Sequence, residues 1–421
     1  MAYITGDRYQ MTLLPKSIED YISQDDPVRA YDAFVEALDF DQLGITIDEN
    51  KTGANPYWPK AMVKLLVYGY PYGTRSSRKL ERACHHNLSF IWLTGGLKPD
   101  YRTIARFRSD NKEALKKILQ QCVKMCIKFD LIEGNTLFVD GTKIKANASL
   151  KNTWSQKDCR EYLEKISKNI EEIITESERL DQQEGNVGSL VKLKEELRNK
   201  QTLAEQVKEI ADELKRTSKT YVNTTDPDSI KTKGDRGSKM YHNSQIVVDV
   251  KHGLVVEAEA VPSAFDINQL NRGVQAAQDT LGKPPKTVCA DAGYHSSADI
   301  EKIDPAVTVV VPSQTQVIKE RTPEKIKPFS KDKFRYDSDA DRYLCPAGNT
   351  LIRTNLPVFE KKDRTAYKAK SSDCKQCTHF GVCTTSAIGR KIVRLNREPL
   401  LQQLAQTYAS DTGQWIYKLR K

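Results

Sequence analysis

The sequence predicts an α/β protein in which a mixed sheet follows an all-helical N-terminal domain, with a helical hairpin and a Cys-rich segment inserted into the sheet-forming part. Three observations predict it. Short β-rich runs bounded by turn residues begin only at Thr136, while upstream of it the apolar residues fall at helical spacing. Between the first and second of those runs lie two long stretches whose apolar residues step by three and four. Four cysteines gather late in the chain, between Cys345 and Cys383.

Residues 1–130 read as short helices separated by Gly and Asn turns. Pro59 opens one through Leu65, Leu66 and Tyr68. Ser76 and Ser77 are expected to cap a second, through Leu80 and Cys84, and Asp110 a third carrying Leu115, Ile118, Cys122 and Met125. Residues 131–158 hold the first strand, Thr136-Leu-Phe-Val-Asp140. In residues 159–217, Leu163, Ile166, Ile170 and Ile173 form one helical stripe and Leu203, Val207, Ile210 and Leu214 another. The two helices are expected to fold back through Gln183–Ser189, whose glycines break helix. Such a hairpin is a solvated spacer or a dimer arm; read alone, it also suits a coiled-coil interaction protein. Residues 218–325 supply strands at 246–250, 254–258, 287–291 and 307–311, with a helix over 267–281. Three strands, a helix and a further strand suit a mixed sheet. Residues 326–395 form the Cys-rich insertion, and 396–421 a C-terminal helical segment.

Composition narrows the function little. The chain of 421 residues is 38% hydrophobic and carries a net charge of +10, enough for a mild pull on polyanions but no nucleic-acid signature by itself. No run approaches 18 consecutive apolar residues, and Met-Ala-Tyr-Ile-Thr-Gly-Asp lacks the pattern of an export signal, so a cytoplasmic protein is expected. Nine cysteines, an odd number in a chain expected to stay in a reducing compartment, argue against a disulfide framework.

Two carboxylates stand out. Asp140 follows the apolar run Leu137-Phe-Val and precedes Gly141, and Asp291 follows Val288-Cys-Ala and precedes Ala292-Gly293. A single Asp at a strand end is ordinarily a turn former. Two on adjacent strands are what two-metal phosphodiester chemistry needs, because its carboxylates must converge from different elements.

The segments carrying them, Val139-Asp-Gly-Thr-Lys-Ile-Lys-Ala-Asn-Ala148 and Ala290-Asp-Ala-Gly-Tyr-His295, resemble the first and second aspartate motifs of DDE transposases from bacterial insertion sequences. Tyr68-Gly-Tyr70, Ser76-Ser-Arg-Lys-Leu-Glu81 and Pro99-Asp-Tyr-Arg-Thr-Ile-Ala-Arg-Phe-Arg108 resemble the N-terminal helical domain of those enzymes. Thr225-Asp-Pro-Asp228 and Asn243-Ser-Gln245 also fit. The resemblance implies an RNase H-like core in which Asp140 and Asp291 hold Mg²⁺ or Mn²⁺. Water would attack the phosphodiester at the element's ends, and the freed 3′-hydroxyl would attack target DNA. It also implies double-stranded DNA as partner, a homo-oligomer on that DNA and a nucleoid-associated place in the cytoplasm. Lys143 and Lys145 would neutralise phosphates, or else remain ordinary solvated lysines.

Such transposases carry a third carboxylate, a glutamate, on a late helix after a tyrosine and an arginine three residues apart. Tyr417-Lys-Leu-Arg420 matches that lead-in, and Lys421 follows before the glutamate is due. The expectation is a product that cleaves poorly or not at all alone: a decayed copy, a shortened sequence, or part of a split frame partnered by a separately encoded C-terminal fragment. The alternative reading is a DNA-binding remnant or repressor that occupies terminal repeats without cutting.

Cys345, Cys374, Cys377 and Cys383 lie within 39 residues and suit a structural Zn²⁺ knuckle of the zinc-ribbon kind, its metal-free remnant or a redox pair. His379 could replace one thiol. Cys84, Cys122, Cys126, Cys159 and Cys289 read as core or incidental. For DNA recognition, Arg102, Arg106 and Arg108 fall within two helical turns, and Arg75, Arg78, Lys79 and Arg82 surround the helix before them.

Overall fold

The computed structural model describes residues 17–47, 56–181, 187–234, 237–322, 328–355 and 363–420; the side chains of 177–181, 187–194, 233 and 234 lie outside that description. The chain divides into two compact units, Met1–Met125 and Cys126–Lys421.

The first unit is helical: α1 (Val28–Glu36), α2 (Phe40–Leu43), α3 (Pro59–Gly69), α4 (Ser77–His86), α5 (Leu88–Leu93), α6 (Tyr101–Asp110) and α7 (Lys112–Lys128), the unit boundary falling within α7. Helix α3 is its spine. Leu65 and Leu66 pack with Val28, Leu80, Cys84 and Ile104, while Val63 packs with Val35, Phe40, Leu43 and Ile118. Two capping expectations are corrected. Asp110 is the last residue of α6 and does not cap α7, the helix carrying Leu115, Ile118, Cys122 and Met125; the side-chain cap nearby is Asp100, on α6, whose Oδ1 accepts from the amides of Arg102 at 2.8 Å and Thr103 at 3.1 Å. The break after Asp110 is a single residue, Asn111, whose side chain donates back to the Phe107 carbonyl at 2.8 Å. Ser76 stands at the N-cap of α4, but its hydroxyl makes no capping bond.

The second unit runs β1 (Thr136–Lys145), β2 (Thr153–Trp154), α8 (Gln156–Asp181), α9 (Val187–Thr217), β3 (Val222–Asn223), β4 (Ile230–Gly234), β5 (Gly237–Asp249), β6 (Val255–Val261), α10 (Leu270–Leu281), β7 (Thr287–Ala290), α11 (Ser297–Ile300), β8 (Thr308–Val310) and α12 (Gln314–Arg321). Then come β9 (Arg335–Asp337), β10 (Arg342–Leu344), β11 (Thr350–Thr354), β12 (Arg364–Ala369), α13 (Ser371–Lys375), β13 (Lys391–Leu395), α14 (Glu398–Ala409) and α15 (Asp411–Leu419).

The main sheet has the order β4-β5-β1-β7-β8, with β6 also paired to β5. Strand β5 is antiparallel to β1 and β6, whereas β7 runs parallel to β1, and β8 parallel to β7. Side chains alternate across the sheet. Val139 and Val247 face α10, whereas Phe138 joins Cys289, Val310, Tyr408, Ile416 and Tyr417 on the side of α14 and α15. Helices therefore cover both faces, and β7 reads Val288-Cys-Ala with all three buried, as a central parallel strand must. Cys289 packs in the core beside Val310, Tyr408 and Ile416, and burial pushes its thiol up to about 12.

Helices α8 and α9 pack together through Cys159, Leu163, Val207, Ile210, Ala211 and Leu214. Of the expected turn over Gln183–Ser189, Val187–Ser189 belong to α9, and residues 182–186 lie outside the described residues. Paired β2 and β3 stand where the chain enters and leaves this hairpin. There the buried Asn223 amide donates to Ser149 and Thr153 and accepts from the backbone of Thr225 and Asp226, which gives the Thr225–Asp228 segment a structural duty. The Cys-rich segment contains a second sheet, antiparallel, in the order β13-β12-β11-β10-β9. Among the described residues, no helix is long and apolar enough to cross a membrane.

Candidate active site

Parallel pairing of β1 with β7 sets Val139 beside Ala290, so the next residues, Asp140 within β1 and Asp291 just past the end of β7, follow from neighbouring positions. The strands are held in that register by buried Leu137, Val139, Val288 and Ala290, each 0% exposed. The expected strand end at Asp140 is corrected: β1 continues through Gly141 to Lys145 because those residues stay paired with β5, whereas Asp291 does lead into a tight turn over Ala292–Tyr294. Both carboxylates accept from backbone amides that follow them. Asp140 Oδ1 accepts from the Gly141 amide at 3.0 Å and Asp291 Oδ1 from the Gly293 amide at 2.8 Å. Arg420, at the end of α15, brings its Nη1 to 3.7 Å from Asp140 Oδ1, so the Tyr417–Arg420 segment does reach the first aspartate.

A third acidic side chain, which the sequence analysis missed, stands beside this pair. Asp266, in the loop between β6 and α10, accepts at Oδ1 from Asn243 Nδ2 at 3.0 Å and from Gln245 Nε2 at 2.8 Å. Gln245 Oε1 in turn accepts the buried Tyr294 hydroxyl. Burial pushes the Tyr294 hydroxyl far above the usual phenol range, and the charges of Asp266, Asp140 and Asp291 add to the effect, so it stays a donor. The signal for Asp266 was present in β5. Asn243, Gln245 and Asp249 occupy the alternate positions that a half-buried strand normally fills with apolar residues, and buried amides demand a partner.

The thiols of Cys345, Cys374, Cys377 and Cys383 all line one cavity of about 30 Å³, with His379, Phe329 and Phe334. Cys345 opens a turn closed by the Gly348 amide, which donates to the Cys345 carbonyl at 2.9 Å, and its Sγ accepts from the Asn349 amide at 3.2 Å. Cys374 Sγ accepts from the Arg390 amide at 3.4 Å. Arg390 braces the far wall by donating to the carbonyls of Cys383 at 3.0 Å and Phe329 at 2.9 Å. Burial raises the Cys383 thiol, and the other three cysteines push the same way. Among the described residues, however, no group of three or more His, Cys, Asp or Glu side chains is arranged to hold a metal ion.

The basic candidates separate into free and occupied groups. Lys143 and Lys145 are exposed on β1, and Arg106 is exposed on α6. Arg78 and Arg102 lie at 4.9 and 5.7 Å from the Tyr101 ring, and Arg102 Nε also donates to the Tyr101 hydroxyl at 3.2 Å. Arg108 is committed inside its own unit: it donates to the Arg75 carbonyl at 3.0 Å and to Ser77 Oγ at 3.3 Å, tying α6 to the start of α4.

Compared with known proteins, residues 16–110 match one family model, described as Transposase domain (DUF772). No curated protein and no solved structure matches.

Proposed function

We propose that the protein is an insertion-sequence transposase of the DDE lineage, whose main sheet is an RNase H-like core that cuts and joins double-stranded DNA with Asp140 and Asp291. The observation that carries this reading is the register of β1 against β7, which pairs Val139 with Ala290, the residues immediately before the two aspartates. The strand order, with the antiparallel β6 and β5 on one side of β1 and the parallel β7 and β8 on the other, supports it, as does the transposase-domain match over residues 16–110. In this reading the helical unit binds the element's terminal repeats, with Arg78, Arg102 and Arg106 contacting phosphates or base edges, while Arg108 shapes that surface from within.

The donor chemistry of the two aspartates fits a hard divalent cation such as Mg²⁺ or Mn²⁺. When bound, the cation supplies activation of the attacking oxygen and stabilisation of the leaving one. The chain's own part is to hold Asp140 within β1 and Asp291 just past the end of β7, and to keep Arg420 within reach of Asp140. Lys143 and Lys145 present positive charge along the strand that leads away from the site, where a DNA backbone would lie. The four thiols likewise fit Zn²⁺ in kind, and two backbone amides already point at the sulphurs of Cys345 and Cys374. We therefore also propose a structural Zn²⁺ for the Cys-rich sheet.

The test is incubation of the purified chain with end-sequence duplex and Mn²⁺. Nicks at the element's end are expected, and Asp140→Ala or Asp291→Ala should reduce them on the order of a thousandfold. A gel shift without nicks would instead favour a protein that only occupies the repeats.

A further inference from the structure

We propose that Asp266 is a positioning residue of the candidate active site, holding the stretch of β1 that follows Asp140 and the loop that follows Asp291 and adding its charge to theirs; this rests on the catalytic reading given above.

Its neighbours Phe265 and Ile267 are exposed, 71% and 49%, yet the Asp266 carboxylate turns inward. It lies across the backbone of β1 one residue beyond Asp140. A Cβ at Gly141 would stand 2.5 Å from Asp266 Oδ1 and 2.9 Å from Gln245 Nε2, so only glycine lets the carboxylate pass there. The same side chain borders the second loop, because a Cβ at Gly293 would stand 3.9 Å from Asp266 Cβ. Asp266 thus sits against β1 just after Asp140 and beside the loop after Asp291. Through Gln245 it also reaches Tyr294, three residues beyond Asp291.

Hydrogen bonding alone does not explain an aspartate here. The two amides that donate to Asp266, from Asn243 and Gln245, are 0% and 4% exposed and must be satisfied. An asparagine would accept the same bonds without bringing a third negative charge beside two others, an arrangement that mutual repulsion disfavours. The repulsion becomes useful where a cation is to be held. Charge and position are therefore separable duties, and two substitutions separate them. Asp266→Asn keeps an acceptor and loses the charge; Asp266→Ala loses both.

The experiment is Mn²⁺ titration of the full chain, read by electron paramagnetic resonance, together with hydrogen exchange of peptides covering residues 138–145 and 288–296, in wild type, Asp140→Asn, Asp266→Asn and Asp266→Ala. Asp266→Asn should weaken Mn²⁺ binding roughly tenfold with both peptides exchanging as in wild type. Asp266→Ala should in addition speed exchange in both peptides. Asp266→Asn with wild-type Mn²⁺ affinity, in a series where Asp140→Asn has lost it, would overturn the charge; unchanged exchange in Asp266→Ala would overturn the positioning. If wild type takes up no Mn²⁺ that Asp140→Asn removes, the catalytic reading itself fails, and the exchange data still decide whether Asp266 holds the two segments. Should Asp266→Ala not fold, slower exchange in Asp266→Asn than in Asp266→Gln, whose longer side chain cannot sit over Gly141, carries the same decision.

Discussion

The aspartate pair and the thiol pocket both draw like donors from distant parts of the chain, but by different means. Asp140 and Asp291 come to neighbouring positions because their strands are hydrogen-bonded neighbours, so their spacing derives from the core of the main sheet. The thiols meet through turns: Cys345 from the turn between β10 and β11, Cys374 on α13, and Cys377 and Cys383 from the loop that follows it. Their chemistry differs as well. Carboxylates are ionised at neutral pH and need only a cation, whereas a thiol must lose its proton to ligate one. The first site is placed by the fold, and the second would be completed by what it binds.

The largest effect that sharpens this contrast is expected at the thiols. Cys374→Ser combined with Cys377→Ser should abolish zinc uptake, measured by elemental analysis of the purified chain, and lower the stability of the Cys-rich sheet by several kcal/mol, about 3 or more. Mn²⁺ uptake at the aspartates should not change. Because burial and the neighbouring cysteines raise the Cys383 thiol, zinc affinity should also climb with pH across the neutral range. A double variant that melts like wild type and keeps its zinc would erase the distinction between the two regions.

A smaller effect is expected at Gly141. Gly141→Ala forces a methyl group to within 2.5 Å of the Asp266 carboxylate, and relief requires a shift of that loop or of β1. The cost should be about 1–3 kcal/mol by thermal or urea unfolding, with weakened Mn²⁺ binding and intact zinc uptake. A substitution that proved neutral in both measurements would mean that the loop moves freely, against the close approach described above.

The two regions were also unequally legible in the sequence. The strands of the main sheet announced themselves because buried parallel strands need continuous apolar runs, and Leu137-Phe-Val and Val288-Cys-Ala supply them. Each ends in an acidic residue followed closely by glycine, so the aspartate pair could be read from composition and order alone. Asp266 was harder: it sits in a loop between Phe265 and Ile267 with no local pattern, and although the polar residues of β5 called for a partner, only the pairing of β5 with β6 shows that Asp266 is it. The sheet of the Cys-rich segment was equally hidden. Its strands are short, β9 and β10 only three residues each, and they are stabilised by side-chain contacts across the sheet among Tyr336, Tyr343 and Tyr367, with ring centroids 5.1 to 5.9 Å apart. The arginines showed a third kind of limit: a basic face is visible in sequence, but Arg108 turned out to spend its donors on the Arg75 carbonyl and Ser77.

The smallest expected effect distinguishes the two regions by their response to acid. His295 follows Tyr294 in the second aspartate loop, and burial holds its imidazole below the usual value of 6.5. Lowering the pH through that value protonates His295 in the unfolded chain first. Between the two values the unfolded state binds more protons, so stability rises with pH and falls as the solution is acidified, the loss being complete once the pH passes below the folded value. His295→Gln should therefore flatten the dependence of melting temperature on pH between about 7.5 and 5, while leaving the alkaline rise in zinc affinity untouched. If wild type and His295→Gln trace parallel curves across that range, the acid sensitivity resides elsewhere in the fold, and the second aspartate loop is no more responsive to protons than the thiol pocket.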